Sequence, residues 1–351
     1  MLFGKKDHLV GLDIGSSVVK VAEVAVSSAG RSLLRFGTLE VPAGAIVEEG
    51  IKDPEAVAAT IKELFSLYNI KEDRVAISVG GYSVIVKKIN VQSMSEEQLQ
   101  EVITVEAEQY IPFDINNVNL DFQILGDNDQ NPNQMDVMLV AAKKETVNDY
   151  LNVIEIAGLA PVIIDVDAFA LQNIYEVNYE TGENCVALID IGANKTSLNI
   201  LRGNKSVFMR DVSFGCNQVN HHIATKINCS LEEAEELKLS DKQERISTDE
   251  LNSIISSVVS DWTTEIRRAL DFFYSTYSND HLKCIYLSGG GANIPEFRQM
   301  LASQASSELE MLNPFAGFDI KDDRLDSAYL KQIAPQAAIC MGIAIRRVDD
   351  K

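Results

Sequence analysis

The feature that most constrains the fold of this chain is a motif that occurs twice, near the start of the sequence and again in its middle. In each copy a run of apolar residues, typical of a buried strand, ends in Asp-x-Gly, at residues 13–15 and at residues 190–192. Glycine lets a backbone approach an anion closely, the amides that follow it point at phosphate oxygens, and a carboxylate at a strand end holds Mg²⁺ through water. One such copy is often only a hairpin turn. Two copies predict a duplicated fold with a phosphate bound between its halves.

A third motif is a run of glycines between a predicted strand and a predicted helix. Residues 284–288 have the composition of a buried strand, three consecutive glycines follow at 289–291, and Pro295 suits the first turn of a helix. The glycines leave a flat backbone surface against which an adenine or a ribose fits. A tight strand-to-helix loop without a ligand is the alternative interpretation.

The order of these three motifs resembles that of the actin-like ATPase superfamily. Within it, the chain is similar to the PilM family of type IV pilus assembly proteins, which is related to the division protein FtsA. The likeness extends along the whole chain: residues 3–6 with 11–20 resemble the family's start, and residues 165–171 and 335–344 resemble its two connections between domains. The resemblance implies an α/β, actin-like ATPase fold, in which duplicated ribonuclease-H-like domains flank a nucleotide cleft.

An insertion of one helix and a hairpin interrupts the first half. Ser95 is a helix cap, apolar residues continue at helical spacing toward Pro112, and a polar turn at 127–134 separates two predicted strands. This insertion resembles the FtsA-type subdomain 1C and points away from sugar kinases and chaperones. The expected division is 1–84 and 161–183 for subdomain 1A, 85–160 for subdomain 1C, 184–216 and 282–334 for subdomain 2A, 217–281 for subdomain 2B, and 335–351 for a C-terminal connecting helix that returns to 1A.

A long amphipathic helix is predicted from Leu251 to Tyr277 in the second half. Its apolar stripe contains Trp262 and Phe273, which we expect in the core rather than at a ligand.

The resemblance implies that ATP and Mg²⁺ are the cofactors. On the first side of the cleft, Asp13 and Gly15 open the phosphate loop, Ser16 and Ser17 face the β- and γ-phosphates, and Lys20 has the family's spacing for a lysine on the β-phosphate. Lys20 lies inside a predicted strand, where an unpaired charge is costly, and this favours the phosphate role over a solvated lysine.

The second side of the cleft is predicted from the same resemblance. Asp190 is expected to oppose Asp13, so that both hold Mg²⁺ through water. The remaining expected nucleotide contacts are Gly192, Ala193, Asn194, Lys195 and Thr196 on the γ-phosphate side, and Gly289, Gly290, Gly291 and Asn293 near the base and ribose.

Some assignments stay open. Glu235 and Lys238 resemble the ribose- and adenine-facing pair of bacterial actin-like proteins, but they also match an ordinary solvated helix face. Asn194 stands where many relatives have a second glycine, and asparagine tolerates left-handed geometry. Asp165 and Asp167 lie where family members carry a catalytic acid, and strand alternation places both on one face without choosing between them. ATP binding is therefore better supported than fast turnover.

Composition limits the partners. A net charge of -21 argues against a nucleic-acid groove and against electrostatic docking on an anionic membrane. The sequence lacks an apolar run of membrane-spanning length and a signal peptide, so we expect a cytoplasmic protein without direct membrane insertion. The five cysteines are widely spaced and are expected to be small buried hydrophobes. His221 and His222 are adjacent and do not share a helix face, so a metal site there is not expected.

The resemblance implies a scaffold of the type IV pilus inner-membrane platform with at most slow ATPase activity. It would be recruited to the membrane by binding the cytoplasmic tail of PilN, with PilO, other platform proteins and the assembly ATPases as indirect partners, and self-association is left open. The alternatives are an FtsA-like division filament and a type II secretion homologue. FtsA carries a C-terminal amphipathic membrane helix, whereas residues 346–351 directly follow the expected connecting helix.

The inserted subdomain is the expected site for the PilN tail. A short apolar peptide would lie between the helix at 96–110 and the strand at 136–142, where its main chain gives affinity and alternate side chains give specificity. The candidate contacts are Val102, Met138 and Val140. The alternative is that these residues only pack the subdomain.

Overall fold

The computed structural model describes residues 9–28, 30–47, 50–128, 131–239, 245–322, 324–348 and 350. The first residues of the resemblance, 3–6, and parts of the polar turn at 127–134 lie outside these ranges. The strands are β1 (Val10–Ile14), β2 (Val18–Ser27), β3 (Gly30–Glu40), β4 (Ile46–Val47), β5 (Gly50–Ile51), β6 (Arg74–Val79), β7 (Val84–Gln92), β8 (Val118–Asp127), β9 (Gln134–Lys143), β10 (Ala160–Val166), β11 (Cys185–Ile191), β12 (Thr196–Arg202), β13 (Lys205–Val212), β14 (Leu282–Ser288), β15 (Glu308–Met311) and β16 (Phe318–Ile320). The helices are α1 (Pro54–Leu67), α2 (Glu96–Glu108), α3 (Lys144–Ile156), α4 (Asp167–Asn178), α5 (Asn217–Ile227), α6 (Leu231–Leu239), α7 (Thr248–Thr276), α8 (Pro295–Gln304) and α9 (Ser327–Ala344).

The duplication predicted from the repeated motif is visible in the two large sheets. The second sheet has the strand order β13-β12-β11-β14-β15, and the first has the corresponding order β3-β2-β1-β6-β10, with β16 added beyond β3. In both sheets the motif strand, β1 or β11, pairs antiparallel with the next strand and parallel with β6 or β14. We call the first sheet with its helices the first lobe and the second sheet with its helices the second lobe.

Two helices form the layer between the sheets. Helices α4 and α9 share one buried cluster with residues of both sheets, among them Leu33 from the first and Leu188 from the second. They cross so closely that a Cβ at Gly342 would lie 1.8 Å from the carbonyl oxygen of Ala170. Any larger residue at this crossing must push the two helices apart.

The C-terminal helix starts earlier than the predicted residue 335. Asp326 caps α9 by accepting hydrogen bonds from the backbone N–H groups of Ala328 and Tyr329, so Pro335 lies inside the helix. The side-chain cap at Asp326 decides where the helix begins, upstream of the range 335–344 that the resemblance gave.

The outer faces of the sheets carry the remaining helices. Helices α1 and α3 bury apolar residues against the first sheet, and α7 buries its stripe against the second, with Trp262 and Phe273 at most 1% exposed, as the periodicity predicted. None of the helices in the described ranges combines the length and apolar character needed to cross a bilayer.

The insertion forms its own small unit. Strands β7, β9 and β8 make an antiparallel sheet in that order, and α2, begun by a reciprocal cap between Ser95 and Gln98, packs on one face of it. Helix α3, which falls within the predicted range 85–160, instead packs Val153 and Ile154 into the core of the first sheet. The chain enters the insertion from β6 through residues 80–83 and leaves it directly into α3.

Candidate nucleotide cleft

The two repeated loops have the same turn. Each begins at the end of a motif strand, and in each the glycine N–H donates to the carbonyl oxygen three residues later, from Gly15 to Val18 at 3.2 Å and from Gly192 to Lys195 at 2.9 Å. Ser16 and Ser17 form the tip of the first turn, where Ser17 is exposed. The turn closes each motif strand onto its antiparallel neighbour and leaves the loop at the carboxyl end of the parallel strands.

The first loop contains a lysine and an aspartate that neutralise each other. Asp13 and Lys20 are directly opposite on β1 and β2, and the Lys20 ammonium donates to Asp13 Oδ2 at 2.8 Å. Both side chains are only 13% exposed. Burial lowers the pKa of Lys20, but the carboxylates of Asp13 and Asp190 more than offset this, so the net shift of the pKa is upward. Lys20 therefore stays charged at the floor of the cleft.

The second loop leaves its aspartate without such a partner on the neighbouring strand. Ser197 occupies the position opposite Asp190, and the hydroxyl of Ser288 donates to Asp190 Oδ1 at 2.7 Å. Burial, together with the nearby carboxylates of Asp13 and Asp167, raises the pKa of Asp190 to about 6. Grouped carboxylate oxygens of this kind fit the ligand preference of a hydrated Mg²⁺ ion, which would relieve their repulsion.

Lys195 reaches across the cleft from the second lobe to the first. Its ammonium donates to Asp167 Oδ2 at 2.7 Å, and the hydroxyl of Ser78 donates to Asp167 Oδ1 at 2.5 Å. Burial raises the pKa of Asp167, but Lys195 dominates and the net shift is downward. The pKa of Lys195 is raised, because burial is outweighed by the carboxylates of Asp167 and Asp211. Both groups are therefore charged near neutral pH.

The two aspartates that sequence alternation placed on one face have different surroundings. Asp165 accepts from Arg346 at 2.8 Å, and burial raises its pKa despite this partner. Asp167 instead lies in the cleft beside Lys195. The prediction of a shared face is wrong because β10 ends at Val166 and Asp167 is the first residue of α4, so strand alternation stops between them.

The glycine run is needed mainly for close packing. A Cβ at Gly289, whose φ is +81°, or at Gly291 would lie 2.3 Å from an atom of Ile191 at the end of the second motif strand. At Gly290, by contrast, a Cβ would meet no heavy atom of the described chain within 4 Å. Of the three glycines, Gly290 is thus the one that faces open space, and Asn293 beyond it is exposed.

A chain of polar side chains links the second loop to α6. Asn217 donates to Asn194 Oδ1 at 2.7 Å, and Asn220 donates to Asn217 at 3.2 Å and also to Glu235. Lys238 completes the chain with a contact of 2.5 Å to Glu235. Glu235 and Lys238 are half-buried, whereas the neighbouring acids at 232, 233 and 236 are exposed, so the structure separates this pair from the solvated face of the helix.

Thr196 does not reach the cleft with its side chain. It is fully buried, and its hydroxyl donates to the carbonyl oxygen of Phe214 at 3.0 Å. The predicted polar contribution of Thr196 to the phosphate side is wrong, because alternation after the loop turns this residue into the core of the second lobe. Ala193 keeps a backbone position in the loop, where its carbonyl accepts from the N–H of Asn217.

The three predicted partner contacts do not line one groove. Helix α2 packs directly on the small sheet, with Leu99 and Leu139 in the same buried cluster, so a peptide has no space between them. Val102 is on the exposed side of α2, 36% accessible, whereas alternation along β9 points Met138 and Val140 to the opposite face of the sheet. Strand β9 is also paired on both edges, which leaves main-chain pairing only to β7 and β8.

Two serines that hold the aspartates of the cleft were not among the predicted site residues. Ser78 is the second-last residue of β6 and Ser288 is the last residue of the equivalent strand β14, and each donates to a cleft aspartate. In both places two glycines follow at the same spacing, at 80–81 and at 290–291, so a second internal repeat of the form Ser-x-Gly-Gly was the available signal in the sequence.

The whole chain resembles proteins of known family and structure. The model of a family described as type IV pilus assembly protein PilM matches residues 11–348. A solved PilM-PilN type IV pilus biogenesis complex contains a chain 31% identical, with 98% of this chain and 100% of that chain covered and a TM-score of 0.86. MreB5 of Spiroplasma citri bound to AMPPNP is 14% identical over 97% of this chain and 95% of its own, with a TM-score of 0.52. The archaeal actin homolog Ta0583 is 12% identical over 96% and 98%, with a TM-score of 0.50. The fold is that of the actin-like ATPases.

Proposed function

This chain belongs to the PilM family of type IV pilus assembly proteins, and from that premise we propose that it is an ATP-binding scaffold that holds the tail of a PilN protein at the inner-membrane platform of the pilus. It would lie on the cytoplasmic side, recruited by PilN, with PilO and the assembly ATPases reached indirectly. The observation that carries the nucleotide part is the pair of opposed loops, whose partly buried Lys20 and Lys195 flank the neighbouring carboxylates of Asp13, Asp167 and Asp190.

The arrangement of charges supports a bound nucleoside triphosphate. Lys20 and Lys195 supply one cation from each lobe for the phosphates, and the backbone amides of the two glycine turns supply donors. Asp13 and Asp190 are the residues that would hold Mg²⁺ through water, and the ion would neutralise phosphate charge. The base would lie over Gly290, with Glu235 and Lys238 at the ribose side.

The surroundings of Asp167 favour slow hydrolysis. A carboxylate whose pKa is lowered by Lys195 is a weak acceptor for a proton from water, because efficient general bases have a pKa near the working pH. Asp165 is held by Arg346 outside this group. We assign Asp167 the task of orienting water beside the phosphates, with little power to deprotonate it.

The proposed subdomains follow the sheets. We assign the first sheet to 1A, the small sheet with α2 to 1C, the second sheet to 2A and helices α5, α6 and α7 to 2B, with α9 as the C-terminal connection. Helix α3 goes with 1A, because its buried side chains belong to the first core.

The inserted subdomain is the proposed site for the PilN tail; the matched PilM-PilN complex supports PilN as the partner. Two surfaces are available on it. Val102 and its neighbour Val105, which is 69% exposed, form an apolar pair on the outer side of α2. Val140 lies on the opposite sheet face, near the open edge of β7.

Calorimetry tests the nucleotide part. We expect ATP with Mg²⁺ to bind the unaltered chain, and Asp13→Ala and Asp190→Ala to weaken binding by about tenfold or more, since both lose a ligand for the hydrated ion. Unchanged affinity in both variants would show that the loops are structural turns only.

Peptide capture tests the partner part. A PilN tail peptide should bind the unaltered chain, and Val102→Glu and Val140→Glu should identify which face it uses, because only the contacted face loses affinity. Exposed Glu97→Lys changes charge on α2 without placing it among the valines and serves as the control. If Val102→Glu and Val140→Glu both captured the peptide as well as the unaltered chain does, the tail would not bind at either face of this subdomain.

A further inference from the structure

The four residues that connect β6 to β7 make contacts with both lobes. We call residues 80–83 the interlobe strap, because this segment leaves the first sheet and enters the inserted subdomain directly. It contains Gly81 at a φ of +77° and a single helical turn. A short connection of this kind transmits a displacement at one end to the strand at the other.

The start of the interlobe strap packs against the charged pair of the cleft. A Cβ at Gly80 would lie 2.4 Å from Asp167 Oδ2 and 2.6 Å from Lys195 Nζ. The backbone of Gly80 therefore rests on the ion pair that joins the lobes, and any change in the position of Lys195 changes this contact.

The second lobe holds the rest of the interlobe strap through two polar contacts. The N–H of Gly81 donates to Asp211 Oδ2 at 3.0 Å, and the hydroxyls of Tyr82 and Ser213 share a hydrogen bond. Asp211 lies on β13 opposite Ser197, two residues after Lys195, and its charge also acts on Lys195. The same edge of the second lobe thus contacts both the cleft lysine and the strap.

The surroundings leave room for the interlobe strap to move. A cavity of about 210 Å³ lies beside it, lined by strap residues, by the first residues of β7 and by residues 209–211 of β13. A well-packed interface resists small displacements, whereas a cavity removes contacts on one side and lowers that resistance.

We propose that the interlobe strap couples the occupancy of the nucleotide cleft to the conformation of the inserted subdomain. The inference rests on the proposed function. Phosphate oxygens compete with Asp167 for the Lys195 ammonium, so nucleotide binding shifts the second-lobe edge that carries Asp211 and Ser213. That edge moves the strap, and the strap moves β7. Coupling of this kind is reciprocal, so a peptide bound on the inserted subdomain changes nucleotide affinity by the same factor.

Hydrogen exchange in the full chain tests this coupling without a partner. The probe is ATP with Mg²⁺, and the readout is the exchange rate of residues 84–92. In the unaltered chain we expect nucleotide to change that rate by about fivefold or more, the lower end of typical coupling factors. Asp211→Ala and Tyr82→Phe should each reduce this change toward none. In Tyr82→Phe the ATP affinity measured by calorimetry should also stay within about twofold, because Tyr82 is not among the proposed nucleotide ligands and its hydroxyl bonds to Ser213.

Matched variants separate the coupling from a general effect. Asp271→Ala removes one exposed acidic charge from α7, and Tyr110→Phe removes a hydroxyl elsewhere in the inserted subdomain, so both should keep the full nucleotide effect. The double variant Ser213→Ala with Tyr82→Phe should reduce the nucleotide effect on the exchange rate no further than either single variant, because both substitutions remove the same hydrogen bond. Tyr82 is half-exposed, so its phenylalanine variant keeps the fold testable.

Three outcomes overturn the coupling. ATP binding without any change at residues 84–92 in the unaltered chain would refute it and leave the proposed function intact. If nucleotide changed the exchange rate of residues 84–92 fully in both Asp211→Ala and Tyr82→Phe, the coupling would also be refuted, because it would not depend on the contacts of the strap. Failure of the unaltered chain to bind ATP would remove the proposed function together with the coupling.

Discussion

The two repeated loops share one turn but balance their charges differently. In the first lobe Lys20 lies opposite Asp13 on the neighbouring strand, and the pair is complete within that lobe. In the second lobe the equivalent position opposite Asp190 is Ser197, and the lysine stands two residues earlier, where it reaches Asp167 of the first lobe. The lysine of the first loop is therefore neutralised within its own lobe. The lysine of the second loop is neutralised only where the two lobes are in contact.

The largest expected effect comes from the helix crossing that both lobes share. Gly342→Leu must separate α4 from α9, because even a Cβ would lie 1.8 Å from the Ala170 carbonyl oxygen. We expect a loss of about 3 kcal/mol or more in the free energy of unfolding, measured by urea titration. Gly290→Ala, placed in open space, is the control and should change stability by less than about 0.5 kcal/mol. Similar stability of the two variants would contradict the tight crossing.

Substitution of the two lysines compares an ion pair within one lobe with an ion pair between the lobes. Lys20→Met and Lys195→Met should each cost about 2 kcal/mol, less than a fully buried pair because the side chains are partly exposed. Only Lys195→Met also loosens the contact between lobes. Small-angle scattering without nucleotide should then show a larger radius of gyration for Lys195→Met and an unchanged one for Lys20→Met. Equal expansion in both variants would mean that the loops do not differ in this way.

The two aspartates of the connection predict opposite pH dependence. The pKa of Asp165 is raised in the folded chain by burial, so its contribution relative to Asp165→Asn falls as pH rises above the unfolded value of about 4. The pKa of Asp167 is lowered overall, because Lys195 outweighs burial, so its contribution relative to Asp167→Asn is present above about pH 4 and is lost in more acidic solution. Urea titrations across pH 3 to 7 measure both differences, each on the order of 1 kcal/mol. If the two stability differences changed with pH in the same direction, the two aspartates would not have the different surroundings described.

The smallest expected effect on stability comes from giving the second repeat a residue of the first. Thr196 aligns with Val19 of the first repeat, and both are fully buried. Thr196→Val therefore gives the second loop the residue of the first and removes one hydrogen bond to Phe214, for a loss of about 1 kcal/mol in the free energy of unfolding. ATP affinity should not change, since the side chain is outside the cleft. A marked fall in affinity would return Thr196 to the phosphate site.

Local patterns in the sequence were enough for much of the fold. The Asp-x-Gly turns, the cap at Ser95, the apolar stripe with Trp262 and the entry of α8 at Pro295 all depend on residues close together in the chain, and the structure confirms them. The start of α9 was missed because the range 335–344 came from the resemblance, whereas the cap at Asp326 begins the helix upstream of it.

Side-chain partners far apart in sequence were beyond those patterns. The assignment of Asp167 to the cleft required the meeting of α4 with the second loop, and the loss of the predicted peptide groove required the packing of α2 on its sheet. Neither follows from periodicity, which tells which residues share a face and not what covers that face.

The sequence by itself determined a duplicated α/β fold with two Asp-x-Gly turns, because strand periodicity, glycine positions and caps act over a few residues. Only the tertiary structure decided that Lys195 crosses to Asp167, that Asp165 is held by Arg346, and that the strap at 80–83 is gripped by the second lobe. Those contacts join residues separated by long stretches of chain, and their geometry depends on how two sheets and the helices between them pack together.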